Sequence, residues 1–221
     1  MKKTPLPRLY AILDAEVAER AGWTLTDLAD ACLRGGARCL QLRAKTIPGG
    51  EFLELATRIQ GLAHARGGLL IVNDRADVAR LSGAAGVHVG QDDLSPFAVR
   101  AIVGSDALVG FSTHTEAQID AATTLPVNYL AIGPVFGTAT KQTGYAAVGL
   151  DRVRYAVEAV ARAALRDDAP ALGVVAIGGI TLDTAPAVLA AGATSVAVIT
   201  DLLATGDPES RVRAYVERLA G

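Results

Sequence analysis

The residues able to do chemistry in this chain sit at the ends of short apolar runs. Gln41, Arg43 and Lys45 alternate along QLRAK, Asn73 and Asp74 close LLIVND, Asp93 lies in GVHVGQDD, Ser112 in VGFSTH and Lys141 in GPVFGTATK. Collected on one edge, they would bring cations, two carboxylates and small donors together. That set suits a diphosphate held through a divalent metal, since Mg²⁺ is usually bound by one or two carboxylates plus phosphate oxygens. Strand side chains alternate faces, so Gln41 and Arg43, with Lys45 just beyond, share one side. Buried cations need an anion beside them, either a ligand or an internal carboxylate. Asp74 reads as a metal ligand or as the N-cap of the next helix. Asp93 reads as its partner or, like Asp92, as a solvated loop acid.

Ser112 follows the fifth run, where a hydroxyl and backbone N–H groups can donate to phosphate, helped by the positive end of the next helix. His114 is a general base or a structural hydrogen bonder. His88 falls inside a strand and reads as packed or as a support behind a site residue, and His64 lies on the exposed face of a helix. Thr138, Thr140 and Lys141 belong to a Gly-rich segment, where Lys141 is either a mobile point charge on a diphosphate or a surface lysine. A second anion site is expected at AIGGI (176–180) and Ile199-Thr200. In barrels, the loops after strands seven and eight frequently bind phosphate through backbone N–H groups, and Gly178 and Gly179 permit close backbone approach. Two anion sites on one face imply two phosphorylated substrates.

The elements that must position these groups are legible as alternating runs. Strands are predicted at 8–13, 38–43, 69–73, 86–89, 107–111, 128–133, 173–178 and 195–199. Between them lie helix patterns. TLTDLADACLRGG starts at an N-cap-like Thr24 or Thr26 and stops at Gly35-Gly36. EFLELATRIQGLAHARGG carries Phe52, Leu55, Ile59 and Leu62 on one face. TLDTAPAVLAAG ends at Gly192, where positive φ is expected. The expected fold is an α/β (β/α)₈ TIM barrel, one domain over residues 1–221. A doubly wound sheet would want a G-x-G-x-x-G turn after the first strand, and LDAEVAER has none. Residues 134–149 form a long connection, which favours an active-site lid.

Composition narrows the rest. Hydrophobic residues make up 51% of the 221 and aromatics only 5%, so Ala, Val, Leu and Ile must fill the core. A net charge of −2 supplies no basic field for nucleic acid. No apolar run reaches the roughly 18–20 residues of a membrane span, and no signal-peptide h-region opens the chain. Cys32 and Cys39 lack metal-ligand spacing and read as reduced structural thiols. A cytoplasmic protein acting on small molecules is expected, with homo-oligomerisation left open.

In order, LYAILD, CLQLRAK, LLIVNDRADVA, GVHVGQDDL, VGFSTHT, AIGPVFGTATK, AVGL, VVAIGGI and SVAVIT resemble the thiamine phosphate synthase family over nearly the whole chain. The resemblance implies a Mg²⁺-dependent transferase of thiamine biosynthesis. It would join a hydroxymethylpyrimidine diphosphate to a thiazole phosphate, releasing diphosphate through a pyrimidine-stabilised carbocation that the thiazole nitrogen attacks. Carried onto this chain, Gln41, Arg43, Lys45 and Asn73 would hold the pyrimidine diphosphate, and Asp74 and Asp93 the metal. Ser112 and Lys141 would contact the diphosphate, making Arg43, Lys45, Ser112 and Lys141 the catalytic set. Thr138 and Thr140 would face the thiazole, its phosphate resting on Gly179, Ile199 and Thr200. Asp92 replaces a usual Glu, Phe111 a smaller residue, Gly137 and Ala139 prolines, and Thr200 a frequent Ser; none removes a proposed ligand. The sister thiazole tautomerase, which uses a histidine, needs no metal–diphosphate set. A non-catalytic thiamine phosphate sensor would carry a partner domain, and a sugar-phosphate isomerase or epimerase would want paired carboxylates for proton transfer.

Overall fold

A computed structural model describes residues 6–137, 146–165 and 172–220. Eight parallel strands close into a barrel in chain order: β1 (Leu9–Asp14), β2 (Cys39–Arg43), β3 (Leu69–Asn73), β4 (Gly86–Val89), β5 (Leu108–Thr113), β6 (Tyr129–Ile132), β7 (Gly173–Ile177) and β8 (Ser195–Val198). β8 pairs back onto β1, with Leu9 opposite Val196. The helices alternate with the strands: α1 (Ala15–Arg20), α2 (Leu25–Arg34), α3 (Gly49–Ala65), α4 (Ala76–Ser82), α5 (Pro96–Val103), α6 (Glu116–Ala122), α7 (Gly149–Ala163), α8 (Ala185–Ala190) and α9 (Pro208–Leu219). The α/β barrel expected from the alternating pattern is therefore observed.

The helices form because local signals agree with the core-facing stripe. Thr24 caps α2, its Oγ1 accepting from Asp27 N at 3.1 Å. Thr115 and Gln118 make a reciprocal capping box on α6. In α3, Phe52 and Ile59 are buried as expected, with Ala56 and Ala63 beside them, while Leu55 and Leu62 are half-buried. Gly192 takes φ +100° just past α8, as the sequence required.

Two clusters share the apolar residues. One lies between the strands and their helices. The other fills the barrel interior with Tyr10, Ile12, Cys39, Ile71, Tyr129, Ala131, Val175 and Ala197. Tyr129 fits there because Gly110 opposite it has no side chain; a Cβ at Gly110 would stand 2.0 Å from the Tyr129 ring.

β3 and β4 have the expected limits, and the other strands differ from theirs by one or two residues. β1 runs to Asp14, and β5 runs to Thr113, so Ser112 lies inside β5 and pairs in register with Ala131. Polar residues at the C-terminal ends of strands look like loops in sequence, although ladder pairing continues through them. The short helix α1 is unanticipated; Asp14 caps it by accepting from Val17 N at 3.1 Å. Cys32 and Cys39 are unpaired and buried; burial pushes the Cys32 thiol up to about 12 and the Cys39 thiol up as well. Among the described residues no helix is long and apolar enough to cross a membrane.

Candidate active site

The C-terminal ends of the strands rim a cavity of about 750 Å³ whose lining includes Gln41, Arg43, Ser112, Gly179, Ile199 and Thr200. These candidates come from β2, β5 and the loops after β7 and β8, elements that only closure of the sheet brings together. Lys45, Asn73, Asp74 and Asp93 do not line that cavity. They gather at its rim, above β2, β3 and β4.

The rim cluster follows from two neighbouring strand ends. Asn73 is the last residue of β3 and pairs with His88 of β4. Asp74 follows at φ +62°, and its N–H donates to the His88 carbonyl at 2.8 Å. Among residues with a Cβ, Asn and Asp enter this left-handed region most readily. The Asp74 carboxylate therefore turns toward β4 instead of capping α4, whose N-cap is Arg75 without a side-chain cap bond. Asp74 accepts from Lys45 Nζ at 3.2 Å. Asp93 is held from the other side, its Oδ2 accepting from Gly90 N at 2.7 Å. Burial first, and then the adjacent Asp93 carboxylate, push the Asp74 carboxyl above its ordinary value, with Lys45 opposing. Two repelling carboxylates beside an exposed lysine form a site short of positive charge. Among the described residues no three His, Cys, Asp or Glu side chains converge. A cation here would rely on ligand oxygens and water, which fits Mg²⁺ and not a metal needing a full protein cage.

Inside the cavity, Arg43 pairs with Asp14, which is buried at the end of β1. The internal-carboxylate reading of Arg43 is thus realised. Even so, Arg43 Nε is buried without a hydrogen-bond partner among the described residues, a donor left for an incoming acceptor. Gln41 Nε2 donates to the Tyr10 hydroxyl at 2.8 Å. The Tyr10 and Tyr129 hydroxyls lie 3.0 Å apart. Tyr129 reaches His88 Nδ1 at 3.2 Å, and His88 Nε2 reaches Ser112 Oγ at 2.8 Å. Ser112 is fixed from behind as well, its carbonyl accepting from Gln91 Nε2 at 2.6 Å. Neither tyrosine stands out in the sequence, because inward-facing aromatics look like ordinary core.

His114 has the orienting partner that the sequence did not reveal. Its Nδ1 lies 2.7 Å from the Gly133 carbonyl, so Nδ1 carries the proton. On the opposite wall, Gly178 and Gly179 take φ +103° and +63°. A Cβ on Gly179 would stand 2.6 Å from the Gly137 carbonyl oxygen, so only glycine keeps this loop closed against the 134–137 segment. The loop after β8 opens with Ile199 and enters a 3₁₀ turn at Thr200–Leu203. Asp201 clamps it: the carboxylate accepts from Arg211 at 2.8 Å, from Leu182 N at 3.1 Å and from the Tyr215 hydroxyl. One side chain thereby ties the loops after β7 and β8 to α9. Of the charged residues lining the cavity, Arg43 and Asp201 are paired, and Arg20 has no ion-pair partner among the described residues. Thr138, Thr140 and Lys141, with the rest of 138–145, half of the 134–149 connection, lie outside the described residues.

The chain is similar to proteins across this fold and site. The family described as thiamine monophosphate synthase matches residues 9–202. A thiamine-phosphate synthase of Koribacter versatilis is 44% identical over 216 residues, covering 97% of this chain and 96% of that protein. One from Arthrobacter sp. is 39% identical over 226 residues, covering 96% and 94%. The solved structure of thiamine phosphate pyrophosphorylase from Pyrococcus furiosus superimposes with TM-score 0.82 at 28% identity, covering 97% of each chain. With the match spanning every strand and both walls of the cavity, the chain belongs to the thiamine monophosphate synthase family.

Proposed function

We propose that this barrel joins a pyrimidine diphosphate to a thiazole phosphate, giving thiamine phosphate and diphosphate, as a transferase. The observation carrying the reading in detail is the division of one barrel face. A rim of Lys45, Asp74 and Asp93 stands on one side of a cavity lined by Gln41, Arg43 and Ser112. A glycine-built cup of Gly178, Gly179, Ile199 and Thr200 stands on the other.

Departure of diphosphate builds negative charge on the leaving oxygens, so the site must place positive charge and donors there before the bond breaks. Arg43, with its unpartnered Nε, Lys45 and the Ser112 hydroxyl occupy that side. Asp74 and Asp93 would hold Mg²⁺, which when bound neutralises diphosphate charge. Gln41, buried within β2, and Asn73, buried at the end of β3, orient the pyrimidine. The second substrate's phosphate sits on the Gly179 and Ile199–Thr200 backbone, with Arg20, which also lines the cavity, supplying charge. Holding the thiazole nitrogen in line with the departing group replaces a bimolecular encounter with a positioned one. The resulting pyrimidine carbocation then meets a nucleophile that needs no deprotonation. This accounts for a site in which cations, carboxylates and a hydroxyl donor face the leaving group. Lys141, Thr138 and Thr140 extend the diphosphate and thiazole contacts in this reading. A cytoplasmic setting suits two buried, unpaired thiols.

The test is incubation of the pure chain with both phosphorylated precursors, with and without Mg²⁺, reading out thiamine phosphate and diphosphate. Both products in equal amounts, only with Mg²⁺, are expected. Absence of thiamine phosphate under all conditions would reject the reading.

A further inference from the structure

A buried line of hydrogen bonds crosses the barrel floor from β2 to β5: Gln41, Tyr10, Tyr129, His88, Ser112. Its links measure 2.8, 3.0, 3.2 and 2.8 Å. Gln41 and Ser112, its two ends, are the residues the proposed function gives to the pyrimidine and the diphosphate. The three members between them have no role so far.

The donor inventory sets the direction of this line. An amide nitrogen only donates, so the Tyr10 oxygen accepts from Gln41. The Tyr10 proton is then available for Tyr129, and the Tyr129 proton for His88 Nδ1. A neutral imidazole accepting at Nδ1 carries its proton on Nε2. His88 Nε2–H therefore donates to Ser112 Oγ. With that lone pair used, the serine proton is left to point into the cavity. Run in reverse, the buried Tyr10 oxygen would accept from both Gln41 and Tyr129 and leave its own proton without an acceptor among the described residues. Both phenols are pushed well above their ordinary values by burial, so they remain O–H donors across the working range. The line is rigid: the Tyr129 ring stacks on His88 at 5.6 Å and meets Tyr10 edge-on at 6.0 Å.

We propose that Tyr10, Tyr129 and His88 are positioning residues that hold Ser112 as a hydrogen-bond donor toward the leaving diphosphate, His88 being the Nε2–H tautomer. The tautomer follows from the fold alone. Only the identity of the acceptor rests on the proposed function, so the two fail separately.

The test uses the whole chain with ¹⁵N-labelled histidine. The chain has three histidines, and His88→Gln assigns the signal. Without substrates, His88 should show protonated Nε2 and unprotonated Nδ1. Tyr129→Phe keeps the ring but removes the donor to Nδ1, and should shift the His88 signal toward a tautomer mixture. The same variant should lower kcat about tenfold, the worth of one orienting hydrogen bond, with KM for the thiazole phosphate unchanged. His88→Gln, whose amide nitrogen replaces Nε2 as donor, should retain about tenfold more activity than His88→Asn. A His88 protonated at Nδ1 overturns the proposal, as does a Tyr129→Phe enzyme with wild-type kcat, or equal activity in the Gln and Asn variants. If the spectra are as expected but neither the wild-type chain nor any variant makes thiamine phosphate, the function assigned to the face is what fails.

Discussion

Asp74→Asn should make the metal-free protein more stable and the enzyme much slower. The folded state raises the Asp74 carboxyl through burial and the adjacent Asp93, with Lys45 only partly offsetting. An acid raised by folding binds its proton more tightly in the folded state. Stability is then lost as pH rises from the ordinary carboxylate range through the raised value, and the deficit persists at neutral pH. Asparagine removes the charge but keeps the left-handed backbone at φ +62°, a conformation it tolerates as well as aspartate does. Relief of a repulsion at a partly exposed rim is worth on the order of 1 kcal/mol, and the Lys45 pair lost with it, half-exposed, is worth less. Net gain should be about 0.5–1 kcal/mol, or a Tm rise of about 1–4 °C for a chain of this size. Adding Mg²⁺ should reverse the order. Wild type would gain about 2.7 kcal/mol at a metal concentration one hundred times Kd, and the variant little. Turnover should fall roughly 10²-fold or more, the loss expected from one transition-state electrostatic contact. Thermal melts with and without Mg²⁺, paired with a steady-state assay, read all three. A lower metal-free Tm for Asp74→Asn would refute the repulsion, and near-normal turnover would refute the metal assignment.

Arg43→Ala should raise KM for the pyrimidine diphosphate more than for the thiazole phosphate, and should destabilise the fold by about 3–5 kcal/mol, since it strands buried Asp14; equal losses for both substrates in steady-state kinetics would contradict the division of the face. Gly179→Ala should raise KM for the thiazole phosphate at least tenfold, because its Cβ would meet the Gly137 carbonyl at 2.6 Å in a left-handed backbone; unchanged KM would place the phosphate elsewhere. His114→Ala should retain substantial synthase activity, its ring being held by Gly133 and having no proton to move in the proposed reaction; complete loss, with the fold intact by circular dichroism, would reopen histidine chemistry on the thiazole.

By itself the chain determined the barrel and most of its face. Eight runs of Val, Leu, Ile and Ala separated by helix-period stretches call for a parallel sheet covered on both faces, and the absence of a Gly-rich turn after the first run favours the closed barrel over an open doubly wound sheet. Polar residues at the C-terminal ends of those runs, Gln41, Arg43, Asp74 and Ser112 among them, had to meet at one edge once the sheet closed. What sequence spacing could not decide was partnership. Asp14 and Arg43 are 29 positions apart, yet register places them opposite each other, so the arginine has an internal partner and a spare nitrogen. Asp74 turns toward Asp93 only because its backbone is left-handed, a choice made by the His88 carbonyl on the neighbouring strand. Tyr10 and Tyr129, 119 positions apart, join Gln41 to Ser112 only because Gly110 leaves room for a ring in the barrel floor. Side-chain type is local, whereas the direction of a hydrogen bond depends on which strangers in sequence the closed sheet makes neighbours.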